Sequence, residues 1–502
     1  MRTLRHLSFH RLVGPVLALL LFNMAFSGIL LNHRAITARI PVPRWLMPPS
    51  YHVANWNNQL VKGTLRLAPD SLLLYGAAGL FLLDSLWQHP QPFSQGLPPD
   101  LAPVSALLRL PEGQILAATP RGIYRYRGSR WECLLKSPEP LIDMLYADSV
   151  VYALSRNHLF MAKPPFGRLQ PVELLCAEDV GRKVSLFKFL WFLHSGALLG
   201  LPGRLVVDGL GLVMMLLSIT GLLAMLSRRI GGKLTAGARR LRYSRRWMRS
   251  LKLHVPAGRW LLVPLLILML SGMVLRPPLL IAVVRCYLVP PSITTLYSEN
   301  PWHDKLRRMA FNPETHTLLL STSVGFFSAS PADLQFRPLR PAPPVSVMGC
   351  NVLRPEGRGW LVGSFAGLYF WAPEASRIVD ARTHEPPATR GGMPIFSDLA
   401  VAGFSTDCPA APVLFDYYRG ALSLGGAQMA PPMPEALKGA PISLWHWALE
   451  VHTGRIYGLN GSVIGESIFI FLLGLLGLSL LVTGYRRIRR PPRSRKVKNG
   501  QN

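Results

Sequence analysis

Two histidines stand in copies of one sequence pattern, and neutral imidazole is a ligand for transition metals and for haem iron. The phrase LHSGALLGLPG at 193–203, which contains His194, returns 258 residues later as VHTGRIYGLNG at 451–461, which contains His452. Each copy leads into an apolar run. Histidines placed at equivalent depths on different helices could hold a cofactor between them.

A second pattern also occurs twice. His10 precedes a Ser-Gly pair at Ser27 by 17 residues, and His254 precedes a Ser-Gly pair at Ser271 by the same 17 residues. Both copies run through apolar sequence. The chain is therefore interpreted as a duplication, in which each half contributes equivalent histidines.

Four apolar stretches must position these histidines, and each is long enough for the roughly 20 residues that cross a bilayer. They lie at 12–31, 204–226, 259–280 and 463–485, in a chain that is 49% hydrophobic and only 16% charged. The first follows three arginines, but its apolar core exceeds the roughly 7–15 residues of a secretory signal. It is therefore predicted to be an uncleaved helix.

The net charge of +29 is concentrated beside these stretches. Segments 1–11, 228–259 and 486–502 carry 3, 11 and 8 Lys or Arg residues and no Asp or Glu. This distribution follows the positive-inside rule, and it excludes nucleic-acid binding as the explanation of the charge. The predicted order is a cytoplasmic start and first span (1–33), outer segment (34–185), interfacial helix and second span (186–227), basic inner loop (228–253), third span (254–278), outer segment (279–443), interfacial helix and fourth span (444–485) and inner tail (486–502).

Both outer segments repeat an apolar strand, a polar or small step, a glycine and an apolar-aromatic strand. Such hairpins return every 36–53 residues, which is typical of β-propeller blades or a related repeat sheet. The apolar strands begin at Leu72, Ile115, Val150, Leu318, Trp360 and Val413. Because three hairpins cannot close a ring, the two segments are expected to combine into one six-unit assembly. The predicted fold class is a four-span α-helical bundle, built from a duplicated two-span unit, with an all-β outer domain that forms a split propeller.

Several kinds of redox site have no sequence signal here. The five cysteines stand singly without CxxC, so iron–sulfur, zinc-ribbon and c-type haem motifs are missing. No GxGxxG follows a strand, so a built-in NAD or flavin site is not expected.

The histidines fall at two depths. His10 and His33 lie 23 residues apart, or about 34 Å along a helix, so they bracket the first span. His254 shares the depth of His10, and His194 and His452 share that of His33. Bis-His ligation of haem suits electron transfer, and nearby glycines would give a porphyrin clearance. The alternatives are interfacial histidines reaching water and glycines that serve ordinary helix packing.

Four further polar residues are less informative. His33 has no partner in the second half, where Pro277 takes its place, and Asp208 corresponds to Glu466. Both carboxylates are expected to contact nearby polar groups or histidines rather than relay protons. His446 is interpreted as a member of an interfacial aromatic belt.

The phrase H-[ST]-G-x(3)-G-L-x-G leading into a span, with an opening helix of the His-Arg…Ser/Thr-Gly-Leu type, resembles the PepSY-associated transmembrane family. The match covers the spans and their lead-ins, roughly a third of the chain. That family includes inner-membrane siderophore-iron reductases that carry b-type haem between helices. The resemblance implies two haems b held by His10, His194, His254 and His452, with His33 as a further candidate. No PepSY domain is evident in the outer segments, which leaves the substrate open.

The resulting hypothesis is a bacterial inner-membrane haem oxidoreductase of the ferric-chelate reductase type, with both termini cytoplasmic and its large domain periplasmic. It would pass electrons from quinol or a separate reductase to a periplasmic acceptor, such as a ferric siderophore. The alternative is a non-redox scaffold or sensor whose outer repeats bind a protein or ligand, which leaves the duplicated histidines unexplained. A transporter with inverted repeats is disfavoured because two-span repeats are parallel copies.

Overall fold

The apolar and basic runs fold as helices and the hairpin phrases fold as strands in the computed structural model of the chain. It describes residues 2–100, 103–176, 181–233, 237–283, 286–346, 349–390, 393–394, 397–408, 411–424, 430–457 and 463–488, with backbone alone at 2–9, 11, 232, 389–390, 393–394, 463–467 and 486–488. These residues belong to two units: a helical unit (1–37, 182–297 and 444–502) and a β unit (38–181 and 298–443).

Ten α-helices occur within the described residues. They are α1 Arg2–Asn32, α2 Arg34–Thr37, α3 Leu186–Ser195, α4 Gly200–Lys233, α5 Ala238–Trp260, α6 Leu262–Val274, α7 Leu279–Val283, α8 Glu435–Lys438, α9 Leu444–His452 and α10 Val463–Ile488. In the helical unit α1 packs against α4, α9 and α10, while α6 packs against α3 and α10.

Three stretches of the helical unit are long and apolar enough to cross a membrane: Leu12–Asn32, Ala197–Gly231 and Ile468–Tyr485. Their outward surfaces are apolar too. Leu12, Val16 and Leu19 on α1 are 75%, 65% and 61% exposed. Large apolar side chains in such numbers on one helix surface match a lipid environment.

The predicted third span is not one straight helix. The axes of α5 and α6 differ by 69°, and the break falls at Leu261. Pro264 explains the break, because its ring has no N–H and clashes with the carbonyl four residues earlier, that of Trp260. The apolar helix α6 therefore starts in a new direction from the basic helix α5.

The strands of both units are short. In chain order they are β1 Pro41–Val42, β2 Gly63–Ala68, β3 Ser71–Gly76, β4 Gly79–Asp84, β5 Gln91–Pro92, β6 Ala106–Arg109, β7 Ile115–Thr119, β8 Gly122–Tyr126, β9 Trp131–Lys136, β10 Asp143–Ala147, β11 Val150–Leu154, β12 Leu159–Ala162, β13 Gln170–Val172, β14 Leu175–Cys176, β15 Val184–Ser185, β16 Tyr287–Leu288, β17 Leu306–Asn312, β18 Thr317–Thr322, β19 Gly325–Ala329, β20 Gln335–Leu339, β21 Val352–Glu356, β22 Gly359–Ser364, β23 Gly367–Ala372, β24 Arg377–Asp380, β25 Thr389–Arg390, β26 Met393–Pro394, β27 Val401–Ser405, β28 Val413–Asp416, β29 Gly420–Ser423 and β30 Ile442–Ser443.

All six predicted hairpins are confirmed as antiparallel strand pairs. Each belongs to a small sheet, numbered here sheet 1 (β2–β5), sheet 2 (β6–β9), sheet 3 (β10–β13), sheet 4 (β17–β20, with β14 at its edge), sheet 5 (β21–β24) and sheet 6 (β27–β29). The two outer segments are joined twice, because β14 pairs with β20 and β1 pairs with β30.

The first strands of the six sheets contact one another in a circuit. The order is β2, β6, β10, β17, β21, β27 and back to β2. A separate hydrophobic cluster fills the space between each neighbouring pair of sheets, including the pair formed by sheets 6 and 1, where Trp56, Leu72 and Phe415 meet. The core of the β unit is thus divided among six equivalent interfaces.

A buried charged cluster links β10 and β17 to the residues that directly precede β2, β6 and β21. Asp143 accepts hydrogen bonds from the backbone N–H of Met309 (3.0 Å) and from Nε of Arg308 (3.4 Å). Arg308 also donates to the carbonyl of Asn351. Lys62 lies in the same cluster and donates from Nζ to the carbonyl oxygen of Ser105 (2.8 Å). The side chains of Asp143 and Arg308 are 6% and 14% exposed, so one carboxylate faces two buried cations.

Burial, with a smaller effect from Arg308, lowers the pKa of Lys62 from 10.5 to about 8. Between those two pH values the unfolded chain keeps a proton that the folded chain has lost, so this residue's contribution to the free energy of unfolding rises with pH. We expect Lys62→Met to lose that rise. Thermal unfolding midpoints of wild type and variant at pH 7.5 and pH 9.5 would show it. A difference between the two proteins that does not change with pH would contradict the prediction.

Candidate functional site

His10 of α1 and His254 of α5 face one another, with ring centroids 6.4 Å apart and ring planes at 79°. Nδ1 of His254 lies 3.1 Å from the carbonyl oxygen of Leu217 and 3.1 Å from Oγ1 of Thr220, both on α4. Nδ1 of His10 lies 3.4 Å from Oγ1 of Thr483 on α10. Each imidazole is therefore oriented by a helix other than its own.

His194 of α3 and His452 of α9 form a second pair, with ring centroids 5.9 Å apart. Nδ1 of His194 donates to the carbonyl oxygen of Leu268 on α6 (2.9 Å), and Nδ1 of His452 donates to that of Met24 on α1 (2.9 Å). Because a carbonyl can only accept, the hydrogen of each neutral ring is on Nδ1. The lone pair is then on Nε2, which makes no hydrogen bond within the described residues.

Each of the four rings lies against the backbone of a glycine that follows Ser or Thr. A Cβ atom built on the glycine would come close to Cε1 of the ring: 3.1 Å for Gly28 and His452, 2.7 Å for Gly272 and His194, 3.1 Å for Gly221 and His254, and 3.4 Å for Gly484 and His10. The preceding hydroxyls, those of Ser27, Ser271, Thr220 and Thr483, lie 3.1–3.4 Å from Nδ1 of the same rings. The same arrangement, a histidine ring packed against a glycine that follows a hydroxyl residue, thus occurs four times.

The repeated sequence patterns contain only two of these four dipeptides. Ser27-Gly28 and Ser271-Gly272 belong to the second repeated pattern, which predicts no contact with a ring, and Thr220-Gly221 and Thr483-Gly484 lie outside both patterns. The signal that could have found them is the same dipeptide, a hydroxyl residue followed by glycine, in all four apolar runs.

The other glycines expected to give a porphyrin clearance lie elsewhere. Gly14 and Gly258 face leucine side chains at 4.0 and 3.7 Å, Gly196 lies against the backbone of Gly203, Gly200 faces Thr295, and Gly454 lies against Ile470. Gly458 is outside the described residues. These positions fit the alternative of ordinary helix packing.

His33 belongs to neither pair. Its Nε2 lies 3.0 Å from Oδ2 of Asp208, and Nδ2 of Asn32 donates to Oδ1 of the same carboxylate (2.8 Å). The nitrogen that would ligate a metal is therefore engaged by a buried carboxylate. Glu466, the sequence counterpart of Asp208, lies outside the residues whose side chains are described.

The spacing of both pairs fits a shared metal. A metal–imidazole bond is about 2 Å and a ring nitrogen lies roughly 1 Å from the ring centre, so two imidazoles on one metal have centroids about 6 Å apart. No group of three or more His, Cys, Asp or Glu side chains suited to a metal ion occurs in the described residues. Two axial imidazoles suit haem, in which the porphyrin supplies the remaining ligands.

The two pairs lie near opposite ends of α1. His10 is part of one pair, and Ser27, which contacts His452 of the other, follows 17 residues later on the same continuous helix. That separation corresponds to about 25 Å along the helix axis, most of the thickness of a bilayer's hydrocarbon core. The geometry therefore offers one two-histidine site near each end of α1.

A model of the family described as "PepSY-associated TM region" matches residues 7–488. Among solved structures, the extracellular domain of the hybrid two-component system BT4673 from B. thetaiotaomicron is 9% identical, with a TM-score of 0.37 and coverage of 72% of this chain and 32% of that one. PorZ, a surface component of the type-IX secretion system of Porphyromonas gingivalis, is 9% identical, with a TM-score of 0.32 and coverage of 76% and 39%. The chain spans less than half the length of either protein. No curated protein matches its sequence.

Proposed function

Because the chain belongs to the PepSY-associated TM family, we propose that it is a di-haem protein that carries electrons across a bacterial inner membrane. The observation that supports this most is the pair of two-histidine sites, with ring centroids 6.4 and 5.9 Å apart. His10 and His254 would hold one haem b, and His194 and His452 the other. Duplicated histidines that serve only as interfacial side chains would not be expected to face one another twice.

The protein's own residues prepare each site. The carbonyl groups of Leu268 and Met24 keep the hydrogen on Nδ1 and make each imidazole a stronger donor at Nε2. Because the glycines have no side chain, the histidine rings can pack directly against the neighbouring helices, which fixes their orientation. When bound, haem supplies a one-electron redox couple, and bis-His ligation leaves no open iron position, which suits electron transfer.

The proposed topology has four spans. The apolar stretches within α1, α4 and α10 supply three, and α5 with α6 supplies the bent third span. The positive-inside rule, applied to the three basic segments, supports a proposed orientation with both termini and the 228–253 loop in the cytoplasm and the β unit in the periplasm. The His10–His254 pair would then lie near the cytoplasmic face and the His194–His452 pair near the periplasmic face.

For the β unit we propose a six-bladed propeller. The circuit of first strands and the six inter-sheet clusters support this arrangement. Blades 1–3 come from the first segment and blades 4–6 from the second, with β14 and β1 crossing between segments to hold the ring closed. Its role would be to receive or present the electron acceptor.

The acceptor is proposed to be a ferric chelate such as a ferric siderophore, as the family resemblance implies. The donor would be membrane quinol or a separate reductase, because the sequence offers no nucleotide-binding motif. Electrons would pass from the site near the cytoplasmic face to the site near the periplasmic face and then to the chelated iron.

The decisive experiment is an absorption spectrum of the detergent-purified protein, oxidised and dithionite-reduced, with haem quantified per chain. We expect a Soret band that shifts on reduction, sharp α and β bands and about two haems per chain. A colourless protein from haem-replete cells would refute the proposal and leave the scaffold or sensor function.

The glycine contacts give a selective prediction. Gly272→Val should displace the ring of His194, since even a Cβ atom would lie 2.7 Å from Cε1, and haem content should fall by about one per chain. Gly209→Val is the control, because a Cβ atom there meets nothing within 4 Å. Haem quantification on both variants checks this, and equal haem losses would mean that general packing was disturbed.

A further inference from the structure

The basic helix α5 has two different faces. Tyr243, Trp247, Ser250 and His254 follow helical spacing and are buried or half-buried. Tyr243 packs against Gly231 of α4. This packed face explains why α5 is helical although it contains eight Lys or Arg residues and no acidic ones.

The opposite face is cationic and apolar together. Arg245, Arg249 and Lys252 recur at spacings of four and three residues, so they share one side of the helix. Leu241 and Met248 lie on the same side and are 53% and 47% exposed. With Ser244, Arg245, Arg249 and Lys252, Met248 lines an open groove of about 230 Å³.

The charge of this groove has no counterpart on its own segment. The stretch 228–259 holds 11 Lys or Arg residues and no Asp or Glu. Within the described residues, no salt bridge involves Arg245, Arg249 or Lys252. A ligand here must supply negative charge and tolerate apolar side chains between the cations.

Anionic phospholipid meets both requirements. Its phosphate accepts the forked hydrogen bonds of arginine, while its acyl chains cover exposed leucine and methionine. The position of this face along the chain also favours a lipid ligand. Helix α5 ends at Trp260, which is 81% exposed, and the apolar helix α6 follows directly. An exposed tryptophan between a basic and an apolar helix is typical of a membrane interface. An acidic protein surface would satisfy the charges but not the apolar side chains.

We propose that the face of α5 formed by Leu241, Arg245, Met248, Arg249 and Lys252 is a binding site for the phosphate group of an anionic phospholipid. The site lies on the helix surface opposite His254. Lipid would therefore contact the exposed face of α5, while α4 packs against the opposite face. The proposal concerns lipid alone and does not depend on haem.

The test is native mass spectrometry of the full chain in detergent, titrated with phosphatidylglycerol and separately with phosphatidylcholine. We expect retained phosphatidylglycerol and at least fivefold less phosphatidylcholine. The triple variant Arg245→Gln, Arg249→Gln and Lys252→Gln should lose at least fivefold of the phosphatidylglycerol binding, because glutamine keeps helix propensity and removes only the charge.

The matched control removes three charges from other sides of the same helix: Arg239→Gln, Arg240→Gln and Arg246→Gln. These residues point roughly 100° or more away from the groove. The control should bind phosphatidylglycerol like the wild type. Equal losses in both triple variants would overturn the proposal, since total charge alone would then explain binding.

Two further arms separate lipid from other anions. Met248→Ser should weaken binding of phosphatidylglycerol, although it leaves every charge and the packed face in place, because the acyl chains lose an apolar contact. If inorganic phosphate or a polyglutamate peptide competes with the lipid at equal charge concentration, the site serves a free anion or an acidic protein and the proposal is wrong.

Discussion

Replacing His194 with alanine is expected to lower haem content from about two per chain to about one, and His452→Ala is expected to do the same. The two residues face one another at 5.9 Å, so removal of either leaves a single axial ligand for one haem. The double variant should lose no more haem than either single variant. His10→Ala and His254→Ala should remove the other haem, and combining one change from each pair should give a colourless protein.

His33→Ala is the matched control, because His33 directly follows α1, the helix that carries His10, but contacts Asp208. It should keep both haems and both spectral components. Added imidazole should restore haem binding to His194→Ala, since the anchored ring of His452 remains in place. The assignment fails if His33→Ala loses a haem while His194→Ala keeps two, as measured by haem per chain and by redox titration of the α bands.

The second large effect concerns stability rather than haem. Asp143→Asn should destabilise the β unit by about 3–5 kcal/mol, because breaking a buried pair leaves an uncompensated charge. Asparagine keeps an oxygen that can accept from the N–H of Met309, so the loss isolates the charge that faces Arg308 and Lys62. The thermal unfolding midpoint should fall by on the order of 5–10 °C, with haem content unchanged below the transition.

An exposed pair provides the comparison. Arg358 and Glu374 form a salt bridge in which both side chains are 70% exposed, so Glu374→Gln should cost less than about 1 kcal/mol. Adding Arg308→Met to Asp143→Asn should recover part of the lost stability, because Arg308 then no longer leaves a buried positive charge without its carboxylate. Purely additive losses in the double variant would show that the two side chains are not coupled.

The depth of each histidine could be read from the sequence because helical rise is constant, and equivalent positions in a duplicated bundle tend to meet. The anchoring contacts could not be read in the same way. His194 and His452 are 258 residues apart, whereas Thr220 and Thr483 are 263 apart, so a constant offset misses the second dipeptide. The accepting carbonyls depend on how the helices are packed, which no local pattern encodes.

In the β unit the hairpins followed from glycine and apolar patterns that act within about a dozen residues. The buried cluster did not, since Lys62, Asp143 and Arg308 are far apart in the sequence and meet only in the folded unit. The bend before α6 had a local cause in Pro264, but the run of apolar residues around it favoured a single helix. The apolar composition of this run therefore predicted one continuous helix, although Pro264 within it cannot donate a helical hydrogen bond.

The anchoring contacts also carry information about assembly. Every paired histidine is oriented by a helix of the other half of the chain: His10 by α10, His194 by α6, His254 by α4 and His452 by α1. Equivalent residues face each other, as they do across the axis of a symmetric dimer. The protein thus has the internal geometry of a fused homodimer, and neither half contains a complete site. During synthesis neither histidine pair has all its contacts until α9 and α10, the last helices among the described residues, have been made.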